Sequence, residues 1–522
     1  MQLHVGIIGQ EEFWRALLRQ EGVPASAVHG HPDARIYTVL AVGGQLDSAA
    51  LTAVRSYLNS GGAVITPSVN APHLAGLRLA QRRLRTLYPH HDQEFAGLEP
   101  VDLELRCRVP FGSNILRTAS SDRTGFIGRV GSGHLVVLPF DVSVVFGDAR
   151  SSAKSFYAPA SRLPFETAAT VSKGSARGLV MRCVELLFHR RGFPYAHLWY
   201  YPDGAPSVFG FRVDTDAGTA EQVNALASLT SSAGVRTTWF LDVKSQISHL
   251  SRYAGMTQDE IGVHCYEHRR YDDAGRISSD LAAAIKHLQE AGIRPAGFAA
   301  PYGTWNEAVG KAVRDAGLAY SSEFSYDYDN LPSWPTVAGE AGALQIPVHP
   351  ICIGNMRRQG YEEIQMAAYF SRVLEAKMRR REPVFFYHHP RDGHWPVLKL
   401  LFEKIAASRI PNLTLGEMAA WWKERADVDL RLEYDRGMIA AEGNEKNGRM
   451  MVRISKADGT ETIVPLDTVV ALADAKWTLR ERAEIPKDIE RARRFNYRIP
   501  LVKGLDAVVA GIRSVTRKKW GK

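Results

Sequence analysis

The chain has 522 residues, with 65 Lys+Arg against 56 Asp+Glu and a formal charge of +9. At roughly 150 residues per domain, this length predicts about three domains. Hydrophobic residues at 45% and charged residues at 23% exclude wholesale disorder and a collagen-like chain. The excess charge is local. Residues 487–522 hold 11 basic and 3 acidic residues, a balance of +8, which leaves +1 for the other 486. That distribution describes a basic tail on a nearly neutral body and argues against a nucleic-acid-binding protein.

Cys107, Cys183, Cys265 and Cys352 are too scattered for a disulfide framework and fit a reducing compartment. The first residues lack a basic segment and run into Glu11 and Glu12, so they read as a buried strand and not as an export signal. No stretch of about 18 apolar residues occurs that would span a membrane. Together these features predict a cytoplasmic protein.

Residues 1–195 carry short apolar runs at 3–8, 37–42, 63–66 and 131–139, with a helical pattern at 51–59 closed by Gly61 and Gly62. Strands alternating with helices predict a parallel sheet covered by helices. This layout resembles the class I glutamine-amidotransferase-like, flavodoxin-like fold. The resemblance implies an accessory domain without amidotransfer, because active members place a nucleophilic Cys in a strand-to-helix elbow and this chain has Thr66-Pro67-Ser68 there. Ser68, with no evident His or Asp partner, reads as a turn serine.

Residues 196–425 repeat the strand–helix order: strands are predicted at 207–213, 236–241, 260–264, 296–299, 344–348 and 383–387, and helices at 220–233, 281–291, 306–316 and 361–380. That order suits a (β/α) barrel, whose functional residues gather at the C-terminal ends of the strands. Four polar clusters fall at four such ends: Asp214 with Asp216, His264 with His268, Pro301 with Tyr302, and His388 with His389. On one helical turn, or a loop entering one, His264 and His268, spaced i and i+4, sit on the same face. Two imidazoles and one carboxylate, Asp216 or Asp214, form a donor set suited to a metal that activates water. Helix capping near Thr219 would occupy one aspartate and leave the second unexplained. Cys265, offset from both histidines, reads as a packed small residue and not as a fourth ligand.

The segment 207–392 resembles the NodB-homology polysaccharide deacetylases, carbohydrate esterase family 4. The family's aspartate pair is matched by Asp214 and Asp216, its H-S/T-x-x-H by His264 to His268, its G-F-R-x-P-Y-G by residues 297–303, and its strand ending in His by residues 384–390. The resemblance implies a deformed barrel that hydrolyses the N-acetyl group of an amino sugar with a divalent metal, Zn. Asp216, His264 and His268 would hold the metal and Asp214 would be the general base. The backbone N–H of Tyr302 would stabilise the oxyanion. His389 would protonate the departing amine and Asp392 would orient it, because His389-Pro390 followed by Asp392 is similar to an H-P-x-E ending of some branches. His388 is the alternative acid, and adjacent strand residues face opposite sides. The family's motif-three Arg is Ala299 here. Either Arg212, on the same strand face as Asp214, or Arg357 replaces it, or the barrel is an inactive carbohydrate-binding protein. A cyclic-imide or allantoin-type amidohydrolase is the other enzyme class that this barrel and metal would serve.

Trp305, Tyr326, Tyr328, Trp334 and Trp395 are expected around the mouth, where sugar faces stack on aromatic rings. Asp327 and Asp329 bind hydroxyls or form a turn, with no catalytic role. Alternating segments at 430–434, 450–454, 461–465 and 468–472 predict a small β-rich module over 426–486. In the tail at 487–522, apolar spacings of three and four with basic residues at the end fit an amphipathic helix. It would dock on its own protein or touch an anionic membrane surface. The expected partner is an N-acetylated glycan or glycolipid precursor.

Overall fold

The computed structural model describes residues 1–480 except 90–93, 111–115, 119–122, 157–163, 272 and 445–447. The basic tail at 487–522 and the end of the β-rich module lie outside the described residues. The first sheet has six strands in the order Ala25–Ala27, Val5–Gly9, Val39–Gly43, Ala63–Pro67, Gly133–Leu138 and Phe126–Val130, parallel but for the last pair. Its central strands are buried along their whole length, as expected of a parallel sheet with both faces covered. Helix α1 (Glu11–Glu21) begins with two carboxylates at its positive end and stops at Gly22, whose φ of 86° favours a residue without a Cβ. A long antiparallel hairpin, Leu79–Pro89 with Val101–Pro110, extends from this region. It escapes a periodicity reading because arginines interrupt the strand at Arg82, Arg83 and Arg85.

The second sheet is the framework of the site. Its strands are β1 (Phe209–Asp214), β2 (Thr237–Asp242), β3 (Glu260–Cys265), β4 (Gly297–Phe298), β5 (Tyr320–Ser321), β6 (Leu344–Gln345) and β7 (Val384–His388). They are all parallel, in the spatial order β6-β5-β4-β3-β2-β1-β7. Among the described residues, no ladder joins β6 to β7. Instead the His349 N–H donates to the Phe385 carbonyl at 2.9 Å, so the chain beyond β6 bends back toward β7. The result is the deformed (β/α) barrel the sequence predicts. Each predicted strand of 196–425 is present, its ends displaced by no more than three residues.

The strand Tyr195–Leu198, at the 195/196 boundary, pairs antiparallel with Met451–Ser455. Near the chain's start, Leu3 donates to the Leu432 carbonyl and Tyr434 to that of Met1. One hydrophobic cluster accordingly runs from the first sheet through helix α2 (Lys173–Arg190) into the β-rich module. Arg425, 1% exposed, donates to the carbonyls of Gln20, Glu21, Leu198 and Trp199. Among the described residues, no helix is long and apolar enough to cross a membrane, and the four cysteines are free thiols.

Candidate metal and acid–base site

The end of β1 carries both aspartates in different roles. Arg212 and Asp214, two apart on the strand, share a face and form a bidentate ion pair at 2.7 and 2.6 Å. Both are buried, and the guanidinium also donates to the Ser322 carbonyl. After Asp214 the backbone leaves the strand through Asp216 and Ala217, at φ 40° and 56°. This left-handed turn costs about 1–2 kcal/mol per residue and sends Asp216 away from Arg212.

There it meets the histidines. Asp216 Oδ1 lies 3.1 Å from His264 Nε2 and 3.0 Å from His268 Nε2. His264 ends β3, and its Nδ1–H donates to the Ala299 carbonyl at 2.7 Å, which leaves Nε2 as a lone pair facing Asp216. His268 sits on the loop beyond, held by Asp280, whose carboxylate accepts from the N–H groups of Tyr266 and Glu267 and from the Tyr271 hydroxyl. Asp216 Oδ1 and His264 Nε2 are fully buried without a hydrogen bond. Two imidazole nitrogens about 3 Å from one buried carboxylate oxygen are placed as ligands around a shared ion would be. Two nitrogens and one oxygen suit a borderline divalent cation, so the residues fit a metal of the zinc type.

The end of β7 separates the two adjacent histidines. His389 Nε2 is 3.6 Å from Asp216 Oδ2, and its Nδ1 is 2.8 Å from Asp392. Burial opposes its charge, but Asp216 and then Asp392 outweigh burial and hold His389 well above the usual histidine range. His388 faces the other way against Trp395, and burial takes its pKa down to about 3. Burial likewise opposes the Asp216 carboxylate, yet His389, His264 and His268 hold it well below its ordinary value. Tyr302, at φ 62° and 54% exposed, places its ring 4.9 Å from that of His268.

Several expected positions land elsewhere. Arg357 is exposed on the helix Ile353–Arg358 and leaves Arg212 as the cation on Asp214. Trp305, Tyr326 and Trp334 do not rim the metal cluster. They line a cavity shared with α1 that includes none of Asp214, Asp216, His264, His268 or His389. Trp395 contacts His388. Asp329 caps α2, accepting from Gly174 and Ser175. Ser68 donates to the Arg108 carbonyl and is occupied.

Three neighbours were missed. Arg391 reaches Asp216 Oδ2 at 3.1 Å, Cys352 Sγ is 4.0 Å from His389 Nδ1, and Asp280 holds the histidine loop. Arg391 comes directly after His389-Pro390, so the motif itself signalled it. Cys352 and Asp280 become neighbours only through the tertiary fold.

Residues 214–321 match the family model described as polysaccharide deacetylase, a match that does not extend to 1–195. No curated protein matches the chain. Among solved structures, a Mycobacterium smegmatis protein described as a polysaccharide deacetylase aligns over 43% of this chain and 93% of its own, at 18% identity and a TM-score of 0.37. The Puue allantoinase aligns over 43% and 92%, at 18% identity and a TM-score of 0.38. A CE4 family pseudoenzyme from Bacillus anthracis aligns over 42% and 68%, at 17% identity and a TM-score of 0.30. The family match therefore identifies a polysaccharide deacetylase domain at residues 214–321, within the barrel, and says nothing of the rest of the chain.

Proposed function

We propose that the barrel is a metal-dependent N-deacetylase acting on an N-acetylated amino sugar of a glycan or glycolipid. The observation that carries this reading is the convergence of Asp216, His264 and His268 beside an aspartate independently fixed by Arg212. Asp216 Oδ1 and the two Nε2 atoms would hold the cation. When bound, a zinc-type cation polarises the amide carbonyl and acidifies a coordinated water.

The remaining work belongs to the chain's own residues. Asp214 accepts the proton of the attacking water, and the bidentate contact from Arg212 keeps its carboxylate aimed. The Tyr302 N–H donates to the oxygen of the amide as negative charge develops there. His389 Nε2 passes a proton to the departing amine, while Asp392 at Nδ1 fixes the ring and sustains its charge. Arg212 supplies the cation that Ala299 lacks, which favours a working barrel over an inactive one.

The test is acetate release from N-acetylated glycans by protein reconstituted with Zn, run beside hydantoin and allantoin. Acetate release lost in Asp216→Asn supports the deacetylase. Ring opening of hydantoin without acetate release would replace it with the cyclic-imide class.

A further inference from the structure

A cavity of about 940 Å³ lies between α1 and the flank of the barrel. Its volume is that of a small-molecule site. Trp305, Tyr326, Trp334 and Phe13 form its apolar wall, and Lys173, the first residue of α2, is at its depth. Lys173 is 2% exposed, and its Nζ sits 3.5 Å from the centre of the Tyr326 ring with no hydrogen bond among the described residues. The Trp305 indole N–H, on the same wall, also has no acceptor among them. Behind them Asp327, fully buried, gives one oxygen to Asn330 and leaves Oδ1 unpaired. Of the neighbouring carboxylates, Asp327 acts most strongly on the Lys173 charge.

Each unpaired buried polar group costs about 1–3 kcal/mol. Two unpaired donors on the wall of one cavity, Lys173 and Trp305, are better explained by a ligand that completes them than by chance, while Asp327 lies outside the lining. The ligand's character comes from the balance of charge. Lys173 and Asp327 offset one another, so the depth of the cavity gives no net attraction to an anion. At the rim, Arg19 is paired with Asp427 and lies over Trp334, and Arg314 is paired with Glu340. A hydroxyl group both donates and accepts, and a pyranose presents apolar C–H faces to aromatic rings.

We propose that this cavity binds a neutral sugar ring of a glycan chain, its hydroxyls accepting from Lys173 and Trp305 and its apolar face against Trp334 and Phe13. The choice of a glycan rests on the deacetylase reading. The site itself is separate from the metal cluster, and α1 brings residues 1–195 into substrate recognition.

The experiment uses the full chain carrying His264→Ala, titrated with N-acetylchitohexaose and with cellohexaose by calorimetry and tryptophan fluorescence. Saturable binding of at least one of them is expected in that background, weakened at least tenfold by Lys173→Met or Trp334→Ala. Trp334 is only half-buried, so its replacement keeps the test valid if Lys173→Met does not fold. Binding by neither neutral probe, binding unchanged in Trp334→Ala, or tighter binding of hexagalacturonate would each overturn the proposal. Acetate release by the unsubstituted protein separates the two readings. Release without cavity binding rejects the cavity alone, and cavity binding without release rejects the deacetylase alone.

Discussion

On the proposed reading, Arg212 takes the role of an arginine that the family places eighty-odd residues further along the chain. It reaches Asp214 from two residues earlier on the same strand, while Ala299 is fully buried. Arg212→Met is therefore expected to leave a buried carboxylate unpaired. It should lower stability by about 3–5 kcal/mol in chemical denaturation, and acetate release with it. Ala299→Arg, which restores the family residue, is expected to overpack the site at a cost of about 1–3 kcal/mol without raising kcat. A gain in kcat would show that Arg212 does not compensate. His389→Ala should reduce kcat about 10²–10⁴-fold, whereas His388→Ala should act on thermal stability, since His388 packs against Trp395. The aspartate and histidine spacings were legible because they are local in sequence. Cys352 and Asp280 were not, since only the fold brings them to the site.

At the scale of elements, the parallel strands were readable from their unbroken apolar runs, and the site was readable with them because polar residues end those runs. The connections were less readable. Short strands such as Gly297–Phe298 and Leu344–Gln345 are only two residues long, and the loops leaving the short strands decide where Trp305 and Tyr326 go. The loop after β3 is anchored by Asp280, together with the Lys244 N–H on the Tyr266 carbonyl and the Asn306 amide on the Tyr271 carbonyl. Asp280→Ala should free the Tyr266 and Glu267 N–H groups and misplace His268. The expected readout is metal affinity lowered about 10–100-fold in a competition titration, with the barrel's thermal transition retained. Unchanged affinity would mean the loop holds itself.

For the whole molecule, the three regions read from composition are joined more closely than any local pattern reveals. The strand Tyr195–Leu198 finds its partner some 250 residues later, a pairing that periodicity cannot register. Ion pairs also join the regions, Arg380 bridging Glu99 and Glu382 beside Lys377. Burial opposes the Glu382 carboxylate, but Arg380 and Lys377 bring its pKa down from 4.5 to about 2. A carboxyl depressed on folding contributes stability above its unfolded pKa, and that contribution is lost as pH falls from 4.5 through about 2. Glu382→Gln should remove on the order of 3 kcal/mol at neutral pH and flatten the acid limb of the unfolding profile. An unaltered limb would place the acid sensitivity elsewhere. The charge of +9, which taken alone suggests a basic protein, belongs to a tail beyond this framework. The framework itself carries the metal-type donor set of Asp216, His264 and His268. The most direct measurement is acetate released from an N-acetylated glycan by the chelator-stripped protein before and after addition of Zn. The expected result is release that appears with the metal and is absent in Asp216→Asn. Release that is equal with and without metal, or that survives the substitution, would contradict the assignment of Asp216, His264 and His268.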